Sequence, residues 1–151
     1  MEAEVSVIRI FSRDLAKEIT IRQISKTIGK SYAFTNQLVW GLIKKGVLNK
    51  KEIGRSVICS INLKSSLSIA LLVYNSQMEK HKEHDVSEFK DKNALTAFIN
   101  KGRLIVVSEN KLSMKSITKR EFMDSIDKIG LDNTVIYGHE KYWEMVGDRY
   151  G

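Results

Sequence analysis

The sequence has a single cysteine, Cys59, so it cannot close an internal disulfide, and without partner cysteines it cannot build a zinc site of the usual spacing. Cys59 is expected to be a small core residue. No apolar run approaches the roughly 18 residues of a membrane span, and Met1-Glu2-Ala3-Glu4 lacks the basic start and apolar stretch of an export signal. The expected compartment is the cytoplasm, with no membrane partner. Serines, histidines and acids occur without a nucleophile-elbow motif, so the sequence carries no hydrolase signature and no enzyme is expected.

What is present has the balance of a folded protein. The 151 residues are 42% hydrophobic and 28% charged, with room for one ordinary domain or two small ones sharing a helix. The formal net charge of +7 is unevenly placed. Residues 1–64 hold four arginines and eight lysines against five acids, which accounts for all of it; residues 65–151 hold thirteen basic and thirteen acidic residues. Basic charge gathered into one segment suits a polyanion, because neutralising phosphates releases condensed counterions whatever the base sequence.

Periodicity then divides the chain. Val5, Ile8, Phe11 and Leu15 share one helical face, predicting a first helix over residues 4–16. Thr20 and Gln23 form a capping box, with Ile19 and Ile24 as its hydrophobic staple, so a second helix should run from Ile21 to Ile28 and stop at Gly29. Ser31 caps a third helix reaching Lys45, with Thr35, Leu38, Val39 and Leu42 on one face and Gly46 ending it. Two helices joined by a short glycine turn make a helix-turn-helix unit. Leu48 to Glu52 and Ser56 to Leu63 follow as a hairpin around Ile53-Gly54-Arg55, which would be a wing.

The stretch from Ile24 through Ser31, continued by Leu42-Ile43-Lys44-Lys45-Gly46-Val47-Leu48, resembles winged helix-turn-helix regulators of the MarR and ArsR type. The shared features are a small polar turn, a leucine late in the third helix, and Lys-Lys-Gly before an apolar strand. The resemblance covers about residues 5–64 and implies a DNA-binding fold.

Beyond Ser65 a long helix is expected through residue 85, its first half (Leu67 to Tyr74) apolar nearly all round and its second half the polar run Gln77 to Asp85, serving as a dimer contact or as a helix buried within the chain. Residues 86–93 read as a linker and Ala94 to Asn100 as a short helix. Leu104 to Val107 and Leu112 to Ile117 read as strands. Thr118 and Glu121 form a second capping box opening a helix from Lys119 to Ile129, followed by a strand at Thr134 to Tyr137 and a last helix carrying Tyr142, Trp143 and Val146. The overall expectation is α+β. It comprises a winged helix-turn-helix (1–64), a connecting helix (65–85) and a small α+β domain (86–151). That last part resembles the C-terminal region of archaeal winged-helix proteins fused to a nucleotidyltransferase-like domain. It has neither the Gly-Ser turn for triphosphate nor the Asp-x-Asp pair for magnesium, so the resemblance implies a remnant without catalysis.

In a helix-turn-helix the second helix of the pair enters the major groove. Here its outward residues are Ser31, Tyr32, Asn36 and Gln37, of which Asn36 and Gln37 have the amides that pair with adenine. Arg22, Lys26, Lys30, Lys44, Lys50 and Lys51 suit phosphates, and Arg55 at the hairpin tip suits a narrow minor groove. The expected partners are double-stranded DNA and a second copy of the chain. An alternative is a protein partner, such as part of the transcription or replication machinery, docking on the third helix through Phe34 and Trp40. His81 and His84 have a metal-compatible spacing beside Asp85 but no third ligand, so neither a metal nor a cofactor is expected.

Overall fold

The apolar stripe of the first segment winds into α1 (Glu2–Phe11), which buries Val5, Val7, Ile8 and Phe11. In the computed structural model, which describes residues 2–79, 86–110 and 116–151, this helix is shorter than the expected 4–16. The hydroxyl of Ser12 donates to the Arg9 carbonyl at 2.8 Å and the carboxylate of Asp14 accepts from the Ala16 amide at 3.2 Å. Short polar side chains of this kind offer the backbone an alternative to the helix. Leu15 is still buried, from a turn and not from a helix face.

The next elements follow their sequence signals closely. In α2 (Ile21–Ile28) the Thr20 hydroxyl accepts from the Gln23 amide at 3.1 Å, and the Gln23 side chain accepts from the Thr20 amide at 2.8 Å. Ile19 and Ile24, flanking that cap, are both buried. α3 (Tyr32–Lys44) buries Thr35, Val39 and Leu42. A three-stranded antiparallel sheet follows, in the order β1-β3-β2, made of β1 (Ile19–Thr20), β2 (Leu48–Ile53) and β3 (Ser56–Ile61). The two-residue β1 has no periodicity to announce it. It exists because Ile19 and Thr20 pair with Cys59 and Ile58. The three helices pack on one another, and α1 and α2 also pack on β3. Cys59 is fully buried.

α4 runs Ser66–Met78, ending short of the expected residue 85; residues 80–85 lie outside the described ones. The chain divides within this helix into two units, one comprising residues 1–75 with the last two residues, the other residues 76–149. In the first, the Arg9 guanidinium of α1 donates to Asn75 Oδ1 at 3.0 Å.

The second unit corrects two expectations. Residues 86–93 are not simply a linker. They contain α5 (Ser87–Asp91), because Phe89 is drawn into an apolar cluster with Ala94, Ala97 and Ile136 and lies 5.9 Å from the Tyr137 ring. Residues 94–100 are not a helix but lead into β4 (Thr96–Asn100), a central strand paired with β5 (Arg103–Ser108) on one side and β7 (Asn133–Tyr137) on the other. Pairing along both edges overrides a short stretch's weak local preference. The β4–β5 turn is Lys101-Gly102, both at positive φ (50° and 78°), as a type I′ hairpin requires. The remaining elements are β6 (Ser116–Thr118), parallel to β5, then α6 (Lys119–Ile129) and α7 (His139–Tyr150). Strand order is β6-β5-β4-β7. Of the strand expected over Leu112 to Ile117, residues 112–115 lie outside the described ones, and Ser116 and Ile117 fall in β6.

Against one face of this sheet, Phe98, Phe122 and Tyr142 stack edge-on or tilted, with ring centroids 5.4 to 6.0 Å apart, and Trp143 adds a fourth ring 5.0 Å from Tyr142. The Tyr142 hydroxyl accepts from Asn133 Nδ2 at 2.8 Å, so its one polar atom is satisfied inside the core. Among the described residues the fold is thus mixed α+β, and no helix is long and apolar enough to cross a membrane.

Gly138, between β7 and α7, has φ +66° and passes so close to β4 that a Cβ there would lie 2.0 Å from the Leu95 carbonyl oxygen. Gly102, at φ +78°, faces open space. Gly102→Ala should therefore cost only the left-handed penalty of about 1–2 kcal/mol, while Gly138→Ala must also displace β4 and should lower the melting temperature several times further. Differential scanning calorimetry of the two variants compares them directly.

Burial also acts on Cys59, whose thiol is pushed from its ordinary 9.0 up to about 11 by desolvation. Below pH 9 the thiol is neutral in folded and unfolded chains alike. Between pH 9 and 11 the unfolded thiol ionises first, so stability is lost as pH rises through that window, by about 2 kcal/mol at pH 10.5. Urea unfolding at pH 8 and 10.5 should show this loss in the native protein over and above that in Cys59→Ala.

Candidate nucleic-acid interface

The surface in question is built around the turn between α2 and α3. Gly29 takes the left-handed conformation at φ 71°, and its amide and that of Lys30 both donate to the Ser25 carbonyl, at 3.0 and 3.2 Å. The buried hydroxyl of Ser25 donates in turn to the Lys30 carbonyl at 2.6 Å. One serine thus closes the turn with both its backbone and its side chain. Sequence inspection passed over Ser25; the available signal was a serine one turn before a helix-ending glycine. On the far side of the turn the Ser31 hydroxyl accepts from the Phe34 amide at 3.2 Å, starting α3.

Ser31, Tyr32 and Gln37 are exposed on the N-terminal part of α3, whereas Asn36 is half-buried. Ser31 is committed to the helix start as an acceptor, though its hydroxyl proton is still available. The guanidinium carbon of Arg22 lies 5.1 Å from the centre of the Tyr32 ring, joining the first turn of α2 to the first residue of α3. A cation over an aromatic face at this distance contributes about 0.5–1 kcal/mol at an exposed site and holds both groups in place.

The remaining cations fall into two sets. Lys50 on β2 has its ammonium 4.9 Å from the Trp40 ring and 3.2 Å from Glu52, and Lys51 is 3.7 Å from Glu18. Trp40, half-buried, is thereby placed beside the hairpin. These ion pairs are solvent-exposed and worth about 0–1 kcal/mol, too little to withhold either lysine from a phosphate. Lys26, Lys30, Lys44 and Arg55 are exposed and form no ion pair among the described residues. Arg55 sits at the hairpin tip after Gly54, which has φ 60°; a positive φ at the first of two central residues is the type II′ pattern. The tip therefore holds the arginine on a short, well-defined turn.

His81, His84 and Asp85 lie outside the described residues, and among the described residues no three histidines, cysteines or acids group closely enough to hold a metal ion. Comparison with protein-family models, curated proteins and solved structures finds no match to the chain.

The Thr20 cap is testable by itself. Thr20→Ala should destabilise the N-terminal unit by about 1 kcal/mol, and Thr20→Ser should restore most of that, as measured by urea denaturation.

Proposed function

We propose that residues 1–64 form a winged helix-turn-helix that binds double-stranded DNA, and that the protein acts as a homodimeric transcriptional regulator. The observation that carries this reading is the set of exposed cations Lys26, Lys30, Lys44 and Arg55, which form no ion pair among the described residues and lie within the segment that holds all of the chain's net positive charge. In this reading α3 enters the major groove. Gln37 and the accessible part of Asn36 meet base edges, with Ser31 and Tyr32 beside them. Arg22, Lys26, Lys30, Lys44, Lys50 and Lys51 meet phosphates, fixing register without reading sequence. Arg55 enters the adjacent minor groove. Two copies would address half-sites about 34 Å apart. No reaction is proposed.

A second reading has its own support. Tyr32 and Phe34 are 47% and 45% exposed near the start of α3, and exposed aromatics on a helix suit a protein partner. Salt separates the two, since phosphate contact releases counterions and apolar docking does not.

Fluorescence anisotropy with random and selected duplexes should show affinity falling steeply with salt. Arg55→Ala should weaken binding about tenfold, and each phosphate-contacting lysine replaced by alanine should reduce the log–log salt slope by about 0.9. Binding indifferent to salt, or none to any duplex, overturns the proposal. Light scattering checks the dimer against the 17.3 kDa chain.

A further inference from the structure

We infer that the C-terminal unit carries a binding cleft for a small amphiphilic anion, a molecule with a carboxylate or phosphate head on an apolar body. This goes beyond the DNA-binding reading and stands or falls separately from it.

The cleft is a cavity of about 1170 Å³ bounded by α6 and by β5. Arg103, Leu104 and Ile105, the first half of β5, line it. Ile105, Ile117 and Ile129 line it and are only half-buried, leaving apolar surface available to a ligand. That volume lies just above the roughly 300–1,000 Å³ typical of small-molecule sites.

Charge is arranged along the cleft. Lys101, Arg103 and Lys128 line it, are exposed, and form no ion pair among the described residues. One bond brings them to the same end: Asn100, which faces Arg103 across the hairpin, donates through Nδ2 to the Ile129 carbonyl at 3.0 Å, tying the β4–β5 turn to the C-terminal end of α6. Of the acids that line the cavity, Glu88 is paired with Lys92 at 2.7 Å, and Glu121 lies seven residues back along α6, about 10 Å from Lys128. The carbonyl end of α6 opposes an anion with about half an elementary charge, which three cations outweigh. A charged end and an apolar middle in one cavity define the ligand's two parts. Arg103 supplies the forked donor that matches a carboxylate or phosphate.

Isothermal titration of the full chain with decanoate, decyl phosphate, decanol and inorganic phosphate, all below micelle-forming concentrations, tests both halves. Decanoate or decyl phosphate should bind one per chain, with decanol and inorganic phosphate each at least tenfold weaker. Which head binds better tells carboxylate from phosphate recognition. Arg103→Gln with Lys128→Gln should weaken the anions about tenfold, leave decanol unchanged, and keep the native circular dichroism spectrum. Ile105→Ser supplies a second, charge-neutral variant that should weaken the decyl anions and leave the weak phosphate binding unaltered. Equal binding of decanol and decanoate, equal binding of inorganic phosphate, no binding at all, or folded variants with unchanged affinity would each overturn the inference.

Discussion

Thr20 is the residue on which the N-terminal unit turns. It ends β1, paired with Ile58 of β3, and it is also the residue whose hydroxyl caps α2. A helix whose first hydrogen bond is made by a residue already fixed in a sheet has little freedom of direction. α2 is therefore held relative to the hairpin, and through the Ser25 closure of the next turn α3 is held relative to α2. The cost of orienting α3 is therefore met during folding. This gives a fixed backbone to a surface that carries exposed lysines and arginines.

Where short-range chemistry decides structure, the sequence was readable. The Thr20–Gln23 box, the left-handed Gly29, the Ser31 cap and the α6 start at Thr118 are all local events, specified within four residues, and each is found where the residues predict it. Where pairing partners are distant, it was not. β1 consists of two residues stabilised by a strand nearly forty positions away. β4 gains its conformation from two neighbours at once, one of them β7, and no window over Ala94 to Asn100 contains that information. α5 was hidden for a similar reason, since the burial of Phe89 depends on Ala97 and Ile136.

The candidate interface was legible to a different depth. Composition located the charge, and the helix pattern located Ser31, Tyr32 and Gln37 as exposed positions but not the half-burial of Asn36. Neither could show that Arg22 lies over Tyr32, or that Lys50 and Lys51 pair with acids while Lys26, Lys30, Lys44 and Arg55 form no ion pair among the described residues. Such distinctions arise from side chains meeting across elements. The same holds for the anion cleft, whose three cations come from a turn, a strand and a helix, with Asn100 bonding the turn to the end of α6.

The strand order of the second sheet also bears on how the protein is made. β4 and β5 form a local hairpin, but the other edge of β4 is covered only by β7, more than thirty residues later. On the ribosome, therefore, Phe98 and its neighbours are synthesised well before the strand that covers them. During that interval the nascent chain presents an open, apolar β-edge, the kind of surface that pairs with another copy. Expression yield should accordingly depend on how quickly translation carries the chain past Tyr137, a dependence set by topology and unrelated to the stability of the finished molecule.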